Sequence, residues 1–99
     1  MSKTTVWVVA RVVSLPDKIE EVKSILTTLT ELTRQEDGCI VYNVLQNNNE
    51  PTDFTTVEEW ENQASLNIHL SSTHLKQAQS QLNSLIALEP SISFYQLLA

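Results

Sequence analysis

The sequence predicts an α+β domain of βαββαβ order, with a four-stranded antiparallel sheet and its helices on one face. Three observations lead there. Runs rich in β-branched and aromatic residues, without a helical period, recur at residues 6–13, 39–46, 54–60 and 92–97. A three- and four-residue apolar period separates the first run from the second, and two shorter helical segments separate the third from the last. The second and third runs are joined by an Asn-rich turn and so form a hairpin, shared by two right-handed βαβ crossovers.

The first strand places Val6, Val8, Ala10 and Val12 on one face and Trp7, Val9, Arg11 and Val13 on the other. Pro16 then suits a first helical turn, where its missing N–H costs nothing, and Asp17, Glu20 and Glu21 complement the helix dipole. Ile19, Val22, Ile25, Leu26, Leu29 and Leu32 form the apolar stripe of that helix; Arg34 falls in its last turn and Gly38 is placed to end it. Asn47, Asn48, Asn49, Pro51 and Asp53 mark the hairpin turn, since Asn and Asp accept αL and Pro fixes φ. Asn62 is a candidate N-cap for a helix carrying Ala64, Leu66 and Leu70. Residues 71–73 break it, and Thr73 or a neighbouring serine caps a further helix carrying Leu75, Ala78, Leu82, Leu85 and Ile86 as far as Pro90.

This order gives the ferredoxin-like plan, and its strands carry an unusual pattern. An antiparallel sheet with one solvated face alternates polar and apolar residues. Here the first strand is apolar on both faces, and Val44, Leu45 and Val57 keep the hairpin apolar too. A second face of this kind calls for a partner, and another copy of the same sheet is the simplest one, so a homodimer is expected.

Composition narrows the function. With 99 residues, 41% of them hydrophobic and 18% charged, the chain has the make-up of one globular domain. The net charge of −6, with Lys and Arg scattered, argues against a nucleic-acid partner. No window reaches the roughly 18 apolar residues of a membrane span, and residues 1–5 show no signal-peptide pattern, so a cytoplasmic protein without a membrane partner is expected. Cys39, the single cysteine, excludes an intramolecular disulfide and a Cys-based metal cluster, and reads as a small buried residue.

Few residues are candidates for chemistry. Glu58 and Trp60, two apart on a strand, share a face; they set a carboxylate beside an aromatic wall, or else are a strand-end charge and a core tryptophan. His69 and His74 are the side chains suited to proton transfer near neutrality. Five residues apart across a break, they lack the i, i+4 spacing of a helical metal pair, so no metal is expected, although Glu58 is a conceivable third ligand. Arg11 interrupts an apolar face, either to bind a substrate anion or to pair with Glu58 or Glu59. Tyr42 and Asn43, on opposite faces of the second strand, are each candidates to line a cavity. One glycine leaves no phosphate-binding loop.

Taken in register, several segments resemble one family. Glu36-Asp37-Gly38-Cys39-Ile40-Val41-Tyr42 resembles the E-x-G-C-x-x-Y segment of antibiotic-biosynthesis monooxygenases, a family that includes quinol monooxygenases and autoinducer-degrading enzymes. Pro51 and Phe54 are similar to its P-x-x-F approach to the third strand, and Glu58-Glu59-Trp60 to its E-x-W strand end. His69-Leu70 and Ser72-Thr73-His74-Leu75 look like its H-L…S-x-H-F segment, with Leu75 in place of Phe. The likeness runs from Val6 to Leu97. It implies a dimeric α+β barrel, in which two sheets pack face to face, and a pocket in each protomer near Trp60, His69 and His74. It also implies a monooxygenase without metal or flavin, acting on a small quinol-like or polyphenolic substrate with dioxygen. Haem-degrading relatives carry an Asn on the first strand and a haem-ligating His on the later helix; Ala10 and Gln79 look like the corresponding positions, so the iron ligand is missing.

The expected roles are then His74 or His69 as base, Trp60 as a wall for the ring, and Glu58 orienting a histidine or Arg11. An isomerase or lyase acting on a small carbonyl compound, and a protein that holds a small ligand without turnover, are the alternatives. Dependence on dioxygen separates the first reading from both.

Overall fold

The computed structural model describes residues 5–99. The opening segment of residues 1–4, with Lys3 and most of the stretch screened for a signal peptide, lies outside that range. The elements are β1 (Val6–Val13), α1 (Ile19–Thr33), β2 (Cys39–Gln46), β3 (Asp53–Trp60), α2 (Gln63–Leu70), α3 (Thr73–Leu82) and β4 (Ser91–Tyr95). The sheet runs β2-β3-β1-β4 with every pairing antiparallel, the ferredoxin-like arrangement. Among the described residues, no helix is long and apolar enough to cross a membrane.

Register determines what faces the helices. In β3, burial alternates strictly, with Phe54, Thr56, Glu58 and Trp60 inward. Tyr42, Glu58, Val8 and Phe94 lie side by side in one row across the sheet, and Val44, Thr56, Ala10 and Ile92 in the next. The core has two centres. Val12, Val22, Leu26, Phe54 and Leu82 pack at one end, and Val8, Tyr42, Trp60 and Leu66 at the other.

α1 begins three residues beyond Pro16, with Glu20 and Glu21 in its first turn. Its buried side departs from the expected stripe. Val22, Leu26 and Leu29 are buried, but Leu32 is 43% exposed while Thr30 and Thr33 face inward. The Thr30 hydroxyl donates to the Leu26 carbonyl at 2.7 Å, which satisfies it inside the core. Gly38 ends the turn that follows the helix instead of the helix itself. Its φ is +85°, and a Cβ there would collide with the Ser65 side chain on α2. Only glycine meets both conditions.

Asn62 caps α2, its side chain accepting from Ser65 N–H at 2.9 Å, and Ser72 caps α3 by accepting from Leu75 N–H at 3.3 Å. α3 ends at Leu82, short of Leu85 and Ile86, which were expected to continue it. The backbone beyond has a stronger use. Leu15 N–H donates to the Leu85 carbonyl and Ala87 N–H to the Val13 carbonyl, at 2.9 and 2.8 Å, so residues 85–87 pair with the end of β1. β4 runs from Ser91 to Tyr95 and is exposed throughout, since the helices pack over the rest of the sheet.

A Gly38→Ala variant is expected to lose about 2 kcal/mol or more of stability, because it combines a left-handed backbone with the Ser65 collision. Asn62→Ala should lose about 1 kcal/mol, the ordinary value of an N-cap. Urea unfolding of the two variants checks the order; a Gly38→Ala loss at or below that of Asn62→Ala would contradict it.

Candidate active site

Between the sheet and α1–α3 lies a cavity of about 380 Å³. Its walls are apolar: Val12, Leu26, Leu29, Leu75, Ala78, Leu82 and Ile86. Its polar end is built by the sheet row of Tyr42 and Glu58, by Thr56, and by His69 from the last turn of α2. Gln79, Asn83 and Glu89 add polar groups elsewhere on its lining. Among the described residues no Lys or Arg lines it, so its formal charges are carboxylates. Ala10 and Gln79, the two positions compared with haem-binding relatives, both line it.

Glu58 is 4% exposed. Its two oxygens accept from Trp60 Nε1 and Thr56 Oγ1, each at 2.9 Å, and both donors stand two residues away on the same strand. The strand period thus supplies a buried carboxylate with its own donors. Glu58 orients neither a histidine nor Arg11. Trp60 is fully buried and off the cavity lining, so it does not wall a substrate directly; it stacks on His69, with ring centroids 4.6 Å apart and planes at 29°. Tyr42 approaches the same imidazole edge-on at 5.8 Å.

The carboxylate that does reach the histidines is Glu36. Its Oε2 lies 2.7 Å from His69 Nδ1 and 2.6 Å from His74 Nε2. His69 is buried on the cavity wall, whereas His74 sits behind it, off the lining and partly exposed. These three are the described residues whose donor atoms converge enough for a metal ion, all within 4.8 Å. The two N···O distances, however, are those of N–H donors on a shared oxygen. Ligands about 2.0–2.2 Å from a common ion would stand farther apart.

The remaining predicted residues lie elsewhere. Arg11 and Asn43 point to the opposite face of the sheet from Tyr42, Ala10 and Glu58. Arg11 pairs with Asp53, Nε to Oδ1 at 2.8 Å, not with Glu58 or Glu59. Hydrogen bonds from Arg11 and Asn47 hold the Asp53 carboxyl below the usual carboxylate range. The Asn43 amide oxygen accepts from Arg34 at 3.1 Å. Cys39 is half-buried, and burial, followed by Glu36 and Glu58, raises its thiol pKa, which keeps it unreactive. Glu36 is the residue that reasoning on spacing missed. It stands 33 and 38 residues from the histidines it joins. Its trace in the sequence was its place at the head of the E-x-G-C-x-x-Y segment.

Burial, with Glu58 second, pushes the Tyr42 phenol well above the usual tyrosine range. Tyr42 is therefore a neutral hydroxyl on the cavity wall, and it makes no side-chain hydrogen bond to the described residues.

An apolar cavity ending in an imidazole, a phenol and a carboxylate thus lies within an α+β protein of the ferredoxin-like fold. The model of the antibiotic biosynthesis monooxygenase family matches residues 5–81, and the chain belongs to that family. A conserved protein from Methanosarcina mazei Go1 superposes with a TM-score of 0.90 at 34% identity, over 96% of this chain and 94% of that one. A crystal structure of an antibiotic biosynthesis monooxygenase superposes at 0.89 with 26% identity, over 95% and 99% of the two chains. An uncharacterized protein of Synechocystis is 30% identical over 82 residues, which are 83% of this chain. The chain spans 56% of that relative's length.

The Tyr42 shift carries a sign that can be tested. A phenol whose pKa is higher folded than unfolded contributes stability that is whole below about pH 10, its ordinary value, and is lost as pH rises beyond it. Wild-type protein is expected to lose stability steeply above about pH 10, and Tyr42→Phe to lose less over the same range. Denaturant midpoints measured at neutral and alkaline pH decide this; parallel curves would contradict it.

Proposed function

We propose that this protein is a homodimeric monooxygenase that oxidises a small, neutral, hydroxylated aromatic compound of quinol type with dioxygen. The observation that carries the reading is the His69 imidazole on the wall of an apolar, ring-sized cavity, with a neutral phenol and a buried carboxylate beside it. Membership of a monooxygenase family gives the reaction class.

In this reading His69 takes a phenolic proton from the substrate. The Tyr42 hydroxyl, free to donate, hydrogen-bonds the resulting oxyanion. The electron-rich ring then reduces dioxygen directly. When a ring C–H becomes C–OH and the hydroquinone becomes a quinone, the substrate gives up four electrons. One oxygen atom enters the product and the other leaves as water, so no external reductant is required. The absence of Lys and Arg from the lining, among the described residues, favours a ligand that arrives uncharged.

The second copy is argued from the uncovered side of the sheet. Trp7, Val9, Val13 and Val57 lie there with Leu45 and Tyr95, which are 53% and 54% exposed. Equilibrium sedimentation over a dilution series should give twice the chain mass. A mass equal to one chain throughout would remove the dimer.

Dioxygen uptake by metal-stripped protein, measured with a panel of hydroquinones and dihydroxynaphthalenes, tests the activity. Saturable uptake is expected, with kcat reduced about 10²–10⁴-fold in His69→Ala, the usual worth of a general base. Uptake no faster than the spontaneous rate would sink the oxygenase reading. Dioxygen-independent turnover of a small carbonyl compound would replace it with an isomerase, since the same three groups suit proton abstraction beside a carbonyl.

A further inference from the structure

We infer that Glu36 is the positioning residue that sets the tautomer of the cavity imidazole, with His74 as the second donor that holds Glu36 in place. The mechanistic importance of this rests on the proposed role of His69 as base; the tautomer itself does not.

A carboxylate oxygen only accepts hydrogen bonds. Glu36 Oε2 has an imidazole nitrogen 2.7 Å away on His69 and another 2.6 Å away on His74, so each of those nitrogens carries its proton. Neutral His69 is then protonated at Nδ1, and its lone pair lies on Nε2. Among the described residues Nε2 has no partner, and it is the nitrogen a cavity ligand can use. A base needs this form; the opposite tautomer would present a donor to the substrate.

Stacking does not make that choice. Trp60 at 4.6 Å and Tyr42 at 5.8 Å fix the plane of the ring, but a ring turned over by half a revolution keeps both contacts. Only a group that distinguishes nitrogen from carbon breaks the symmetry, and Glu36 is that group. It is well anchored for the purpose. Its backbone N–H donates to the Thr33 carbonyl at 3.0 Å, its carbonyl accepts from Cys39 N–H at 3.2 Å, and its side chain is 11% exposed. His74 contributes from α3, so α2, α3 and the α1–β2 turn all meet on one oxygen. The other titratable groups facing this cluster are Tyr42 and Cys39 from β2 and Glu58 from β3.

The test has two independent readouts. Long-range ¹H–¹⁵N correlation spectra of histidine-labelled protein, taken near pH 8.5 where an ordinary imidazole is neutral, report the tautomers directly. Wild type is expected to show His69 protonated at Nδ1 and His74 at Nε2. In Glu36→Ala, His69 should populate the Nε2–H form, and kcat should fall about 10²-fold, within the range for a general base, with KM changed less than about threefold. His74→Ala, whose side chain is off the cavity wall, should mix the His69 tautomers partially and lower kcat by a smaller factor.

His69 protonated at Nε2 in the wild type would overturn the inference. So would a Glu36→Ala protein that keeps a pure Nδ1–H form. If Glu36→Ala fails to fold, the wild-type spectrum and His74→Ala still decide. Absence of turnover with every phenol defeats the functional reading alone, because the spectra need no substrate.

Discussion

The two-residue period of β3, held between β2 and β1, is the constraint on which the rest of this structure depends. Four consecutive inward positions, Phe54, Thr56, Glu58 and Trp60, enter the core from one strand. The first and last are large apolar groups at the two centres of packing, and the middle two are polar. A buried carboxylate is costly unless its oxygens are satisfied. Here its neighbours two residues up and down the strand satisfy it, so no other element has to supply a counter-group. Helices above that stretch close it over as a cavity, where solid packing would otherwise exclude the charge.

The two polar systems of the site are therefore built differently. Glu58 belongs to the sheet and is defined by local spacing. Glu36, His69 and His74 come from three segments and are defined by tertiary approach. Trp60 links them, donating its N–H to Glu58 while its ring supports His69. Removing the indole would therefore disturb both systems together, through a side chain that does not line the cavity.

Much of the fold was legible because its signals are local. Asn62 reads as a cap and is one; of Thr73 and the serines beside it, Ser72 takes the next cap; the hairpin turn reads from its Asn residues; Gly38 stands where a positive φ is required. The strands' parity also separated Tyr42 from Asn43 and Ala10 from Arg11, though it did not say which face receives the helices. What was not legible depends on long-range competition. Nothing near Leu85 and Ile86 announces that the end of β1 will take their backbone, so the helix was expected to run on. The 3.6-residue period placed Leu32 inside, while a hydroxyl bonded to its own helix let Thr30 take the interior. Trp60 was placed on the right face, but parity carries no depth, so a residue beneath the site was read as its wall. The Glu36 contacts span 33 and 38 residues, and no spacing rule reaches that far.

Gly38 illustrates how far the site extends beyond its lining. It lies two residues after Glu36, with its α-carbon close against Ser65 on the helix that carries His69. The missing side chain therefore sets the distance between a carboxylate and an imidazole that it never touches. Any change that widens this gap would draw the acceptor off His69 and free the ring to turn. In a mutational survey, Gly38 would then score with the active-site residues despite lacking any functional group, and a compensating change would be found at Ser65 instead of inside the cavity.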